Sequence, residues 1–227
     1  MVFGKQMRSL FTVPRGKVMV GHDASGLELR MLAHYMNDDD YTEALLNGDI
    51  HTTNQKFAGL ESRDQAKTFI YALIYGAGDA KLGSVVKGSR EDGKRLRQHF
   101  FDSNPSFKAL RDKVSRASKK GYLKGLDGRK IFIRSEHAAL NSLLQGGGAV
   151  IMKKGLALFD SLIKLNTFDA KFVANIHDEW QMEVREDLSD HIGTLAVDCI
   201  KTAGNYYNLR CPMDGEYKVG RDWSETH

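Results

Sequence analysis

Asn175-NIHDEWQMEV-Val184 decides how the rest of the chain is read. From Phe172 onward one parity runs Phe172, Ala174, Ile176, Asp178, Trp180, Met182, Val184, while Asn175, His177, Glu179, Gln181 and Glu183 fill the other. Alternation of this kind predicts a strand with one face on a core. Asp178 then interrupts the apolar face, where a lone carboxylate is costly unless it is paired or bound to a cation. Its neighbour Glu179 is an equal candidate on pattern alone.

Outward from this segment, the 227 residues are 41% hydrophobic, enough for one large domain or two small ones. Two cysteines give neither a disulfide framework nor a ligand cluster, which favours a reducing compartment. No signal peptide or apolar run of roughly 20 residues is present, so the expected location is cytoplasmic, away from any membrane. The net charge of +4 is uneven: residues 81 to 130 hold fifteen Lys/Arg against five Asp/Glu, and the remainder eighteen against twenty-four. A basic middle between acidic ends suits a polyanion-binding segment beside a cation-binding one, or simply solvated helix faces.

Three further stretches carry chemistry. In "KVMVGHDASGLELRMLAHYM", from Lys17, a short apolar run ends at Asp23 and a helix follows with Leu29, Leu32, Ala33 and Met36 on one stripe. Ser25 and Glu28 match a capping box, the structural alternative to a functional Glu28. In "ESRDQAKTFIYALIYGAG", from Glu61, Ser62 and Gln65 predict a cap and Gly76 and Gly78 a stop. Between them Arg63, Lys67, Tyr71 and Tyr75 recur every four residues along one face. Two cations followed by two phenols would suit an elongated anion with a ring at one end, such as a nucleoside triphosphate, or form a solvated edge.

In "EHAALNSLLQGGGAVIMKKG", from Glu136, His137, Asn141 and Gln145 are expected on one helical face. Uncharged donors there would suit the minor groove of a duplex, whose acceptors recur in every base pair. An ordinary polar face is the alternative. Gly146, Gly147 and Gly148 argue against a continuous helix, at about 1 kcal/mol each relative to Ala.

Taken in order, these stretches resemble the polymerase region of family A DNA polymerases, especially the phage replicative type. "DASGLELR" resembles the first palm motif, "RDQAKTFIYALIYGAG" the nucleotide-binding finger helix and "HDE" the second palm motif, with "DIHT", "GLDGRK" and "NSLLQ" between them. The resemblance implies an α+β fold: a right-hand palm, built on a small antiparallel sheet, with an inserted, mostly helical fingers subdomain. Palm would occupy 1–35 and 131–227 and fingers 36–130, with the finger helix near 63–75. Strands are expected near 17–23, 129–134, 172–184 and 212–219.

The implied activity is template-directed DNA synthesis, adding deoxynucleoside triphosphates to a primer 3′-hydroxyl on primer–template DNA. Asp23 and Asp178 would hold two Mg²⁺ ions, or Mn²⁺, with the Ala24 carbonyl as a further ligand. Glu179 would be an auxiliary acid, and His177 would lie near the primer terminus. Glu28 would gate the sugar with Tyr75. His51, Arg63 and Lys67 would hold the triphosphate, Lys67 also protonating the pyrophosphate, and Tyr71 would line the same pocket. His137, Asn141 and Gln145 would contact the primer–template minor groove. Two carboxylates ~4 Å apart repel by roughly 4 kcal/mol at an effective dielectric of ~20, which divalent ions reverse.

The chain opens just upstream of the first palm motif. The thumb, the exonuclease and an upstream primer-binding arginine are therefore not expected within it. It reads as a fragment, or as one chain of a split enzyme whose second polypeptide carries thumb and exonuclease functions. If the chain is phage-encoded, the resemblance implies host-cell cytoplasm. A metal-dependent nuclease would share the carboxylates but not the Arg63–Tyr75 face. Glu28 argues against a single-chain RNA polymerase, and a non-catalytic DNA-binding subunit would have no need of the charged set.

Overall fold

A computed structural model describes residues 3–227 and resolves them into two compact units. One runs to Leu27 and resumes over Gly148–His227; the other is Glu28–Gly147.

The first unit is built on a four-stranded antiparallel sheet in the order β4-β5-β1-β6, from β1 (Lys17–Ala24), β4 (Ala170–Ile176), β5 (Glu179–Arg185) and β6 (Gly215–Gly220). Register pairs Val18 with Val184, Val20 with Met182 and His22 with Trp180, so one sheet face is apolar. Trp180, Met182 and Val184 are fully buried there, as the alternation predicts. The Trp180 ring stacks on Phe159 of helix α9 (Ala139–Leu165), with centroids 5.8 Å apart. A Cβ on Gly155 would stand 3.1 Å from the Trp180 ring, so a small helix residue makes room for a large strand residue. Helix α10 (Ser189–Tyr206) buries Ile192, Ala196, Ile200 and Ala203 and packs against β1 and β6.

Two expectations fail in this unit. Residues 172–184 form two strands rather than one, because His177 and Asp178 make a two-residue hairpin loop. His177 takes φ +54°, the positive sense that short hairpin loops favour because it matches strand twist. Asp178 therefore belongs to a hairpin tip, and the conflict over its sheet face disappears. The strand expected at 129–134 is not part of this sheet either. β3 (Lys130–Phe132) pairs only with β2 (Tyr122–Lys124), as a separate ribbon in the second unit.

The second unit is mostly helical. It contains α2 (Leu27–Met36, counted from Glu28), α3 (Asp39–Leu46), α4 (Ile50–Ala58), α5 (Arg63–Ile74), α6 (Asp79–Ser84), α7 (Arg90–Ser103) and α8 (Pro105–Ser118). Its core is aromatic: Phe100 meets Phe57, Phe69 and Phe107 edge-on at 5.2–6.2 Å. The predicted Ser62–Gln65 capping box opens α5 and Gly76, at φ +77°, lies past its end. Helix α2 starts at Leu27, two residues past Ser25.

The glycine run does not break α9, which is continuous from Ala139 to Leu165. A Cβ on Gly147 would stand 2.5 Å from Met31 Cε, and one on Gly148 would stand 2.9 Å from Leu27 Cδ2. Close packing of neighbouring side chains against bare backbone outweighs the helix propensity of about 1 kcal/mol per glycine. His137 is not on this helix but in the preceding 3₁₀ turn, Glu136–Ala138, so it does not share a helical face with Asn141 and Gln145.

Candidate active site

In the first unit, β1 ends by delivering Asp23 and Ala24 beside the β4–β5 hairpin. The Ala24 backbone N–H donates to the Asp178 carbonyl at 3.1 Å, which fixes the hairpin tip against the strand end. Strand pairing then sets Asp23 directly between Glu179 on β5 and Glu216 on β6. The Asp23 carboxyl is pushed up to about 6, first by burial and then by the charges of Asp178, Glu179 and Glu216 in that order, with His227 opposing. Hard oxygen donors crowded to this degree are the environment that a divalent cation relieves.

Glu179 has different surroundings. It is 6% exposed, and its carboxylate accepts hydrogen bonds from Gln181 Nε2, Trp223 Nε1 and His227 Nδ1, the last at 2.6 Å. Thr226 Oγ1 donates to Gln181 Oε1 at 2.7 Å, extending the network. Glu179 is therefore committed to a protein network. Among the described residues no three His, Cys, Asp or Glu side chains are grouped to hold a metal. His177 is exposed at the hairpin tip.

Under the sheet at this point His22 is fully buried, with Nδ1 3.3 Å from the Trp180 carbonyl oxygen. Burial holds its pKa down to about 4, so it is a neutral core imidazole.

The second unit holds two groupings. In one, Asp49 caps α4 through the His51 N–H (3.1 Å) and receives Arg63 Nε at 2.7 Å. His51 lies 6.4 Å, ring to ring, from Tyr71, and burial followed by the charges of Arg63 lowers its pKa, with Lys67 adding to the effect. His51 Nδ1 is buried with no hydrogen-bond partner among the described residues, a donor or acceptor left over by the fold. In the other, Glu28 Oε1 accepts from Tyr75 Oη and Gln145 Nε2, each at 3.0 Å, and Gln145 Nε2 lies 3.2 Å from Tyr75 Oη. Burial and the Glu28 charge push the Tyr75 phenol up to about 12.

The structure thus brings Asp23 to Asp178, and His51 to Arg63, Lys67 and Tyr71. Glu28, Tyr75 and Gln145 meet in the second grouping. Gln145 sits with the carboxylate and phenol rather than with His137, and Asn141 is half-buried on α9. Residues that the sequence did not single out are Asp49, Gln181, Glu216, Trp223 and His227. Glu216 carried a signal as an acidic residue in a predicted strand, and Asp49 opens the quoted DIHT; the others matter through contacts distant in sequence. Among the described residues no helix is long and apolar enough to cross a membrane.

The profile of DNA polymerase family A matches residues 2–225. A DNA-directed DNA polymerase of Escherichia phage Phieco32 is 39% identical over 253 residues, covering 96% of this chain and 41% of that protein. The DNA-directed DNA polymerase of Enterobacteria phage T3 is 39% identical, covering 99% and 37%. The chain therefore spans about two fifths of the length of these relatives. A solved structure, the POL domain of Pol1 from M. smegmatis in complex with DNA primer-template and dNTP, is similar with a TM-score of 0.87 at 27% identity. That similarity covers 98% of this chain and 43% of the other.

Proposed function

Since the chain belongs to DNA polymerase family A, we propose that it supplies the nucleotidyl-transfer centre of a template-directed DNA polymerase. The observation that carries this reading is the meeting of Asp23 and Asp178, with the adjoining Glu179 carboxylate hydrogen-bonded to Trp223 and His227.

The reaction is in-line attack of a primer 3′-oxygen on the α-phosphorus of a deoxynucleoside triphosphate, forming one P–O bond and releasing pyrophosphate. Asp23, Asp178 and the Ala24 carbonyl are the groups that would hold two Mg²⁺ ions, or Mn²⁺; bound there, the ions would activate the attacking oxygen and stabilise the leaving one. Arg63, Lys67 and His51 bind the triphosphate, and Lys67 protonates the departing pyrophosphate. The Asp49 carboxylate pre-orients the Arg63 guanidinium, and such positioning is most of what phosphoryl transfer asks of a protein. Glu28, held by Tyr75 and Gln145, walls the pocket at the sugar and disfavours a 2′-hydroxyl, while Tyr71 lines its side. His137, Asn141, Gln145 and His177 contact primer–template DNA.

The first unit acts as palm, and the second carries the fingers. Thumb and exonuclease functions belong to further polypeptide, joined or separate, and the enzyme works in host-cell cytoplasm. Incorporation of a labelled deoxynucleotide on a primed template tests this reading. Asp178→Asn should lower incorporation far more than Glu179→Gln does. Strand cleavage without incorporation would replace the polymerase with a nuclease, and a preference for ribonucleotides would remove Glu28 from its role.

A further inference from the structure

The β2–β3 ribbon of the second unit presents a face that the residues assigned above do not use. Its register sets Tyr122 opposite Phe132, Leu123 opposite Ile131 and Lys124 opposite Lys130. Alternation puts Leu123 and Ile131 on one side. Leu123 is buried, and Ile131 Cδ1 lies 3.0 Å from where a Cβ on Gly146 would stand, so that side is seated on the unit. The other side carries Tyr122, Lys124, Lys130 and Phe132. Phe132 is 75% exposed, and Lys130 Nζ lies 4.6 Å from the centre of the Tyr122 ring. Arg134, also exposed, follows two residues on. At the turn, Arg129 is already paired with Asp127.

Apart from the Lys130–Tyr122 contact, folding does not favour this face. Like charges directly across a ladder are destabilising, and an exposed phenyl ring gains nothing from burial. A single strand of nucleic acid rewards it: cations take the phosphates, rings take the bases, and stacking tolerates any sequence. We propose that the outer face of this ribbon binds the unpaired part of the DNA template strand. One base stacks on Phe132, and its flanking phosphates lie against Lys124, Lys130 and Arg134. Charge complementarity selects this occupant, since the four outward residues of the ribbon include two lysines and no carboxylate. The inference rests on the polymerase reading above and adds a template subsite to it.

The test is fluorescence anisotropy with the full chain at low and moderate salt, on a primer–template with a long 5′ template overhang and on the same duplex made blunt. The chain should bind the overhang substrate more tightly. Phe132→Ala should weaken that binding about tenfold, within the range for loss of one stacked base, and leave the blunt duplex unchanged. Phe132→Trp should restore it, and Lys130→Gln should reduce the salt slope by about 0.7, the value for one phosphate of a single strand. Unchanged overhang affinity in Phe132→Ala, an equal loss on the blunt duplex, or no overhang preference in the wild-type chain would each overturn the proposal. Deoxynucleotide incorporation separates the two readings. A chain that extends primers while Phe132→Ala binds the overhang normally refutes the ribbon alone. A chain with Phe132-dependent overhang binding and no incorporation refutes the polymerase reading alone.

Discussion

The carboxylate site of the first unit and the cationic face of the second solve opposite problems. Asp23 stands between two glutamates and beside a second aspartate, with burial and repulsion raising its pKa. Arg63 is exposed and already paired with Asp49, and the hydrogen bond from Arg63, with that from Thr52, holds the Asp49 carboxyl far below the usual range. One site is assembled at an electrostatic cost; the other is pre-oriented by its own counter-charge. Sites that await a ligand are where local charge balance is worst.

This contrast breaks most sharply at the aspartates. Asp23→Asn or Asp178→Asn should lower kcat for deoxynucleotide incorporation by about 10³-fold, the loss of roughly 4 kcal/mol of charge stabilisation, with little change in KM. Steady-state kinetics that show a KM effect alone would move both residues out of the chemistry.

Trp223→Phe comes next. It removes a donor to the buried Glu179 carboxylate and should cost about 1.5–3 kcal/mol in urea unfolding, the range for a hydrogen bond to a charged group. It should also depress incorporation, because Glu179 faces Asp23 across the β1–β5 ladder and would no longer be fixed in place there.

Divalent cations should sharpen the comparison through pH. The folded pKa of Asp23 is raised from 3.8 to about 6, so its contribution to stability is fully present below about pH 4 and is lost as pH rises through 6. Metal-free protein should therefore lose stability from this group across that window. Mg²⁺ should then raise the melting temperature more at pH 7 than at pH 5, as scanning calorimetry would show. An equal rise at both would mean the cation binds elsewhere.

The smallest effect is expected at Asp49→Asn. Asparagine still caps α4 but no longer fixes Arg63 by charge. Only a several-fold change in KM for the deoxynucleoside triphosphate should follow, with kcat nearly constant. A change as large as that at Asp178 would make the second unit's pairing as critical as the first unit's crowding.

Much of this was legible in the chain itself. Period-two alternation identified Trp180, Met182 and Val184 as a core face, and the Ser62–Gln65 pair located the start of α5. The four-residue spacing of Arg63, Lys67, Tyr71 and Tyr75 put them on one side of that helix. These features depend on neighbours within one or two turns or pleats, where covalent geometry makes spacing equivalent to position.

Other features were not legible, because they depend on contacts between distant segments. Nothing local tells Asp178 from Glu179: the difference is that Trp223 and His227 reach Glu179, while hairpin formation leaves Asp178 at the tip beside Ala24. Local propensity misread the glycines of α9, whose value lies in the approach of Met31 and Leu27. Alternation continued through His177 because a two-residue loop barely disturbs it, so one strand and a tight hairpin look alike in sequence. By itself, then, the sequence determined which residue types line each helix and strand, since chain stereochemistry sets those periods. Only the tertiary structure decided which partners the Glu179 carboxylate meets, because burial and hydrogen-bond partners are set by whatever packs alongside.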